Sequence, residues 1–152
     1  MLLKMFHIIL FEPEIPPNAG NIIRLSVNTG CNLHLIEPLG FSIDEKSFKR
    51  AGMDYMNKKD FQVWDSLETC TDQIRADRYF TVSTKGKKLY SNISYKEGDA
   101  FIFGPESRGL PEQIRNSFES VYIPMKSEGR SLNLANAVSI IIYEAWKRLD
   151  FQ

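Results

Sequence analysis

Two stretches decide the fold: Phe101-Ile-Phe-Gly-Pro-Glu-Ser-Arg-Gly109, and Ile123-Pro-Met125 with Ser131-Leu-Asn-Leu-Ala-Asn-Ala137 beyond a short polar loop. Each reads as an apolar strand that stops abruptly in glycine, proline and hydrogen-bonding residues, the way α/β enzymes build sites at the carboxyl ends of strands. If the two strands are neighbours, their loops meet in a pocket framed by backbone rather than by charged side chains. Glycine lets the backbone approach a ligand closely, proline fixes the turn, and Glu106 accepts hydrogen bonds. A tight turn with a Glu–Arg surface pair explains the first stretch equally well.

Outward from these, β-rich runs stand at 6–11, 33–37, 79–83, 100–103 and 120–124. Helical signals lie between them, so the chain is expected to be α/β, with a mainly parallel sheet and helices on its faces. Residues 16–30 are expected to form a helix with Asn18 or a neighbour near its start and Gly30 as its stop. A weaker helix is expected at 64–75, centred on Trp64, Leu67 and Ile74, and another at 111–118 with Pro111 in its first position. The last helix is the clearest, because Leu134, Val138, Ile141, Ile142, Ala145, Trp146 and Leu149 recur at helical spacing over roughly 132–149. Its apolar face serves either core packing or a dimer. Ser131 is a candidate cap for it, which leaves Asn133 and Asn136 unexplained.

The 152 residues make one domain, 1–152, long enough for a substantial core. The 19 basic and 19 acidic side chains cancel, which argues against indiscriminate coating of nucleic acid while leaving a local basic patch open. Cys31 and Cys70, with no CxxC and no ligand-like histidine nearby, predict reduced thiols, no metal and a cytoplasmic protein. The apolar start, interrupted by Lys4 and His7 and lacking a cleavage site, reads as a first strand rather than a signal peptide. No stretch is long enough for a membrane span. The polar segment Ser42–Asp60 is the expected mobile excursion.

Asn21 and Arg24 share a helical face, where the arginine either clamps a phosphate or carboxylate or is simply solvated. Lys85-Gly-Lys-Lys88 forms a compact basic loop, of a kind that is usually solvated surface. No GxGxxG and no GxxxxGK[ST] occurs, so the dinucleotide fingerprint and the P-loop are both absent. His7 and His34 read as sheet residues, which leaves a Ser-His-Asp hydrolase without support.

Asn18-x-x-Gly-Asn-x-x-Arg24, Phe103-Gly-Pro-Glu-Ser-Arg-Gly109 and Ile123-Pro-Met with Ser131-Leu-Asn-Leu-Ala-Asn-Ala137 together closely resemble the three motifs of the SPOUT superfamily of RNA methyltransferases. Phe11–Asn18, Leu33–Phe41, Ala51–Tyr55 and Tyr143–Trp146 resemble, within it, the small enzymes that methylate the ribose of the tRNA wobble nucleotide. The resemblance covers nearly the whole chain. It implies a carboxyl-terminal deep trefoil knot, rare enough that patterning alone never predicts one, together with a homodimer and S-adenosylmethionine as methyl donor. Its substrate is tRNA, with leucine isoacceptors as the expected targets and a wobble cytidine or 5-modified uridine as the acceptor.

Carried over by motif, Val82, Gly104, Glu106, Ile123, Met125, Ser131 and Leu132 hold the cofactor, and Arg24, Glu106 and Asn133 are the catalytic set. Lys85, Arg108, Arg130 and Tyr143 contact RNA, supplemented by Lys46, Lys49, Arg50, Lys87 and Lys88. No metal is implied. Two other readings stay open: a 2′-O-methyltransferase of the same superfamily acting on another tRNA or rRNA position, and a catalytically silent RNA-binding dimer. The match begins at Met5, so either Met5 is the initiator or Met1–Lys4 extends the first strand.

Overall fold

The computed structural model describes residues 3–44, 46, 49, 58–127 and 129–152. Most of the Ser42–Asp60 stretch, with Arg50 and Ala51–Tyr55, lies outside the described residues. The elements run β1 (His7–Phe11), α1 (Pro16–Thr29), β2 (Asn32–Ile36), β3 (Phe61–Trp64), α2 (Leu67–Ile74), β4 (Tyr79–Val82), β5 (Lys88–Leu89), β6 (Ala100–Phe103), α3 (Glu112–Ser117), β7 (Glu119–Tyr122) and α4 (Leu134–Lys147).

The strands form one sheet in the order β3-β2-β1-β6-β4-β7-β5, and every pairing is parallel. Strand alternation divides the core in two. Ile8, Leu10, Leu33, Leu35, Phe80, Phe101, Phe103 and Val121 face Ile22 and Ile23 of α1 and Val138, Ile141 and Ile142 of α4. Ile9, Ile36, Ala100 and Ile102 face the other way, toward Cys70 of α2 and Ile114 of α3. Helices therefore cover both faces, which is why β6 reads as the uninterrupted apolar run Ala-Phe-Ile-Phe. Each such aliphatic side chain, fully buried, contributes roughly 1.5–3 kcal/mol.

Four sequence expectations are corrected. Strands β3 and β5 are unanticipated: β3 is an edge strand with Gln62 and Val63 exposed, and β5 has two residues. Trp64 belongs to β3 and not to the following helix, which starts at Leu67 under a Ser66 cap whose side chain accepts the Thr69 amide at 3.1 Å. The strands at 100–103 and 119–122 are not neighbours, since β4 stands between them. Pro111 is the cap of α3, and the helix begins one residue later.

Helix α1 begins Pro16-Pro17, so its first two positions carry no amide donor, and it ends at Gly30 with φ +75°. Asn18 does not cap it; the cap position is Ile15, which has no side-chain bond to offer. Helix α4 is capped by Asn133, whose side chain accepts the Asn136 amide at 3.2 Å, and Ser131 is exposed.

Strand β7 is bonded to β4 on one edge and β5 on the other. The link Ser83–Lys87 must therefore cross β7. It does so in contact with the backbone: Ser83 N donates to Val121 O at 3.0 Å, and Lys87 N to Ser120 O at 3.2 Å. A Cβ on Gly86 would stand 2.2 Å from Val121 O, so only glycine fits the crossing.

Candidate active site at the carboxyl ends of the central strands

Parallel pairing brings four strand ends to one edge. Phe103 lies opposite Leu10 on one side and Val82 on the other, and Val82 lies opposite Val121. The loops leaving β1, β6, β4 and β7 consequently start along one edge of the sheet, with β4 interposed between the two motif strands.

The loop after β6 folds back on itself. A Cβ on Gly104 would sit 2.3 Å from the Leu110 amide nitrogen, and Gly109 has φ +68° with its amide bonded to Pro105 O at 2.9 Å. This closed turn aims Glu106 at the amino end of α1. The carboxylate accepts Glu14 N at 2.9 Å, Ile15 N at 2.7 Å and Asn18 Nδ2 at 3.3 Å. An anion here favours the positive end of the helix dipole. Asn18, buried, accepts in turn from Asn133 Nδ2 at 3.0 Å. One hydrogen-bonded line thus joins the start of α1, the turn after β6 and the cap of α4.

The other expected residues are distributed around this line. Val82, Ile123 and Met125 are half-buried, Val82 and Ile123 against the main core; Ser131 and Leu132 are exposed. Arg24 is exposed on α1, on a different side of the helix from buried Asn18 and about 9 Å further along the axis. Lys85 and Arg130 are exposed, and Arg108 pairs with Glu12. The Glu–Arg surface pair of the alternative turn reading is not formed: Glu106 is engaged by α1 and Arg108 by Glu12. Tyr143 lies in the middle of α4, 44% exposed, with its ring 5.7 Å from that of Trp146. Lys46 and Lys49 are exposed; Lys87 is exposed, and Lys88 pairs with Glu119.

Sequence reading misses Glu14. Its carboxylate accepts Ser107 N at 2.8 Å and Ser107 Oγ at 2.9 Å. The Ser107 amide and hydroxyl, helped by the charge of Arg108, hold this carboxyl below its ordinary range. The only local sign is an acidic pair, Glu12 and Glu14, between a strand and Pro16-Pro17; the partners are more than ninety residues away.

The histidines occupy the sheet as expected. Trp64 Nε1 donates to His34 Nδ1 at 3.0 Å, so His34 carries its proton on Nε2 and donates it to His7 Nδ1 at 3.0 Å. Burial lowers both, His34 to about 4, with His7 adding to the effect on His34. Burial pushes Cys31 up to about 11 and Cys70 to about 12, leaving both as inert thiols. Among the described residues no three or more His, Cys, Asp or Glu cluster to hold a metal, and no helix is long and apolar enough to cross a membrane.

The SpoU rRNA Methylase family pattern matches residues 5–143. The tRNA (cytidine(34)-2′-O)-methyltransferase of Methylovorus glucosotrophus is 51% identical over 150 residues, covering 97% of this chain and 97% of that protein. The protein of the same name from Escherichia coli K12 is 45% identical over 150 residues, covering 97% and 96%. A solved structure concerned with 2-OH methylation of C/U34 on tRNA superposes with a TM-score of 0.89 at 42% identity, over 99% of this chain and 94% of its own. The SpoU methyltransferase AviRb from Streptomyces viridochromogenes, in complex with AdoMet, shares the fold: TM-score 0.82 at 22% identity, over 99% of this chain and 60% of its own.

Proposed function

Because the chain belongs to the SpoU rRNA methylase family, we propose that it is a tRNA 2′-O-methyltransferase that methylates the ribose of the pyrimidine at position 34, using S-adenosylmethionine. The observation that carries this reading is near-full-length identity of 45–51% to proteins bearing that activity in their names. The motif segments those proteins would need meet, in this chain, through Asn133, Asn18 and Glu106. Leucine isoacceptors are the substrates we assign, in the cytoplasm where tRNA is matured.

The donor set fits this cofactor. Half-buried Val82, Ile123 and Met125 with exposed Leu132 offer apolar faces to a nucleoside, while the turn at Gly104 and the segment at Ser131 offer backbone groups. S-adenosylmethionine supplies a sulfonium-activated methyl, which needs an aligned hydroxyl oxygen and no metal. The chain's own work is alignment, and holding reactants in line supplies much of such a rate. Arg24, exposed on α1, holds the substrate phosphate and faces the 2′-hydroxyl; a guanidinium is a donor-only group that carries a delocalised positive charge, so it suits charge stabilisation rather than proton abstraction. Glu106 takes three N–H donors, so its part is to fix α1. Asn133 fixes the start of α4. Lys85, Arg108, Arg130 and Tyr143 grip the anticodon stem-loop.

The crossing of Ser83–Lys87 over β7 is the close backbone approach that a trefoil knot requires, and we take the chain beyond β7 to be threaded beneath it. We also take the enzyme to be a homodimer. Helices α1 and α4 lie on the same face of the sheet and leave Val27 and Tyr143 exposed for a second copy.

Incubating the protein with unmodified tRNA and methyl-labelled S-adenosylmethionine, then mapping the label by mass spectrometry, tests the proposal. A 2′-O-methylated pyrimidine at position 34 is expected. Label at another tRNA or rRNA nucleotide refutes the wobble assignment, and RNA binding without any transfer refutes the enzyme.

A further inference from the structure

The loops after β1 and β6 hold each other reciprocally. Glu106 reaches out of its turn to the Glu14 and Ile15 amides, and Glu14 reaches back to the Ser107 amide and hydroxyl. The Arg108–Glu12 pair brackets this exchange. Two adjacent carboxylate-to-amide contacts in opposite directions are the logic of a capping box, here made between segments ninety-odd residues apart. The Glu14 backbone is anchored separately, because Gly40 N donates to Pro13 O at 2.9 Å and a Cβ on Gly40 would stand 2.7 Å from Glu14 Cα. Removing the Glu14 side chain therefore removes the half of the clasp that holds Ser107 and leaves the loop path in place.

Resting on the methyltransferase reading, we propose that Glu14 is a positioning residue that locks helix α1, which carries Arg24, to the cofactor-binding turn 104–110. Arg24 stands nine residues beyond Ile15, roughly 13 Å along the helix, so a tilt of about 5° at the clasp moves it by about 1 Å. Misplacement on that scale costs transfer reactions on the order of 100-fold. Glu106 alone anchors the helix end; Glu14 fixes the turn against it.

The test compares Glu14→Ala and Glu14→Gln with the wild type in three measurements: cofactor affinity by calorimetry, kcat and KM for tRNA, and exchange of the Ser107 amide by NMR. Glu14→Ala is expected to lower kcat by roughly tenfold or more, with cofactor Kd within about twofold and faster Ser107 exchange. Glutamine keeps an acceptor for the Ser107 amide and should restore most of kcat. The proposal is overturned if Glu14→Ala keeps wild-type kcat and Ser107 protection, or if both variants lose cofactor affinity and thermal stability together with kcat. Wild-type protein that binds cofactor but methylates no tRNA refutes the enzymatic reading itself, and the Ser107 exchange then reports on the clasp alone.

Discussion

Asn133 donates its side-chain amide to Asn18 Oδ1 at 3.0 Å, closing a gap of 115 residues in sequence. The same Asn133 caps α4 through Oδ1, and the same Asn18 donates to Glu106, so each amide uses both its nitrogen and its oxygen at this junction. Changing either to alanine breaks a cap or a bridge and loosens the junction of all three loops. Asn133→Ala is expected to cost about 1 kcal/mol of stability from the cap alone. A double-mutant cycle with Asn18→Ala, read by urea unfolding, should show coupling of roughly 0.5 kcal/mol or more; strict additivity would deny the bridge.

Arg24→Ala should abolish methyl transfer and leave cofactor affinity within about twofold, since the residue projects from the exposed side of α1 and is assigned to the RNA phosphate and ribose rather than to the cofactor. Full activity in the variant ends the catalytic role.

Gly104→Val should eliminate cofactor binding, because even its Cβ would lie 2.3 Å from the Leu110 nitrogen and the turn must open. Calorimetric affinity equal to that of the wild type would show that the cofactor sits elsewhere. Gly86→Val, with its Cβ 2.2 Å from Val121 O, should impair folding itself, a difference that circular dichroism of the two variants separates.

The His7–His34–Trp64 chain predicts acid sensitivity. Burial, with the nearby His7 adding to it, keeps His34 neutral in the folded state down to about 4, against 6.5 for an ordinary histidine, and Nδ1 stays free to accept from Trp64. The unfolded chain therefore binds the proton first. Stability is fully present above pH 6.5, falls as pH drops through the window from 6.5 to about 4, and levels off below it. The loss from this group reaches roughly 3 kcal/mol at most. Urea unfolding at pH 7.5, 5.5 and 4.5 checks it, with His34→Asn, which keeps an acceptor for Trp64, expected to show a flatter profile.

The apolar periodicity of α4 and the uninterrupted runs of β1 and β6 were readable in the sequence, because burial on a sheet or one helix face dictates residue type at each position. Strands β3 and β5 were not, since a four-residue edge strand and a two-residue strand bury too little to impose a pattern. Capping was legible as a class and misplaced in detail: Ser131, Asn133 and Asn18 all have the chemistry of a cap, and which one caps depends on what else each can reach. Asn18 reaches Glu106, so it is spent on tertiary contacts.

By itself the sequence determined the α/β class, the positions of the three motif segments and their resemblance to a methyltransferase family, because local spacing and residue type carry that information. The tertiary structure alone decided that β4 separates the two motif strands, that Glu106 serves α1 rather than Arg108, and that Glu14 answers it from across the site. The first rests on ladder bonds between strands far apart in sequence, and the other two on contacts between groups ninety or more residues apart; in each case the partners are selected by how a parallel sheet aligns its strand ends and not by anything in the neighbourhood of either residue.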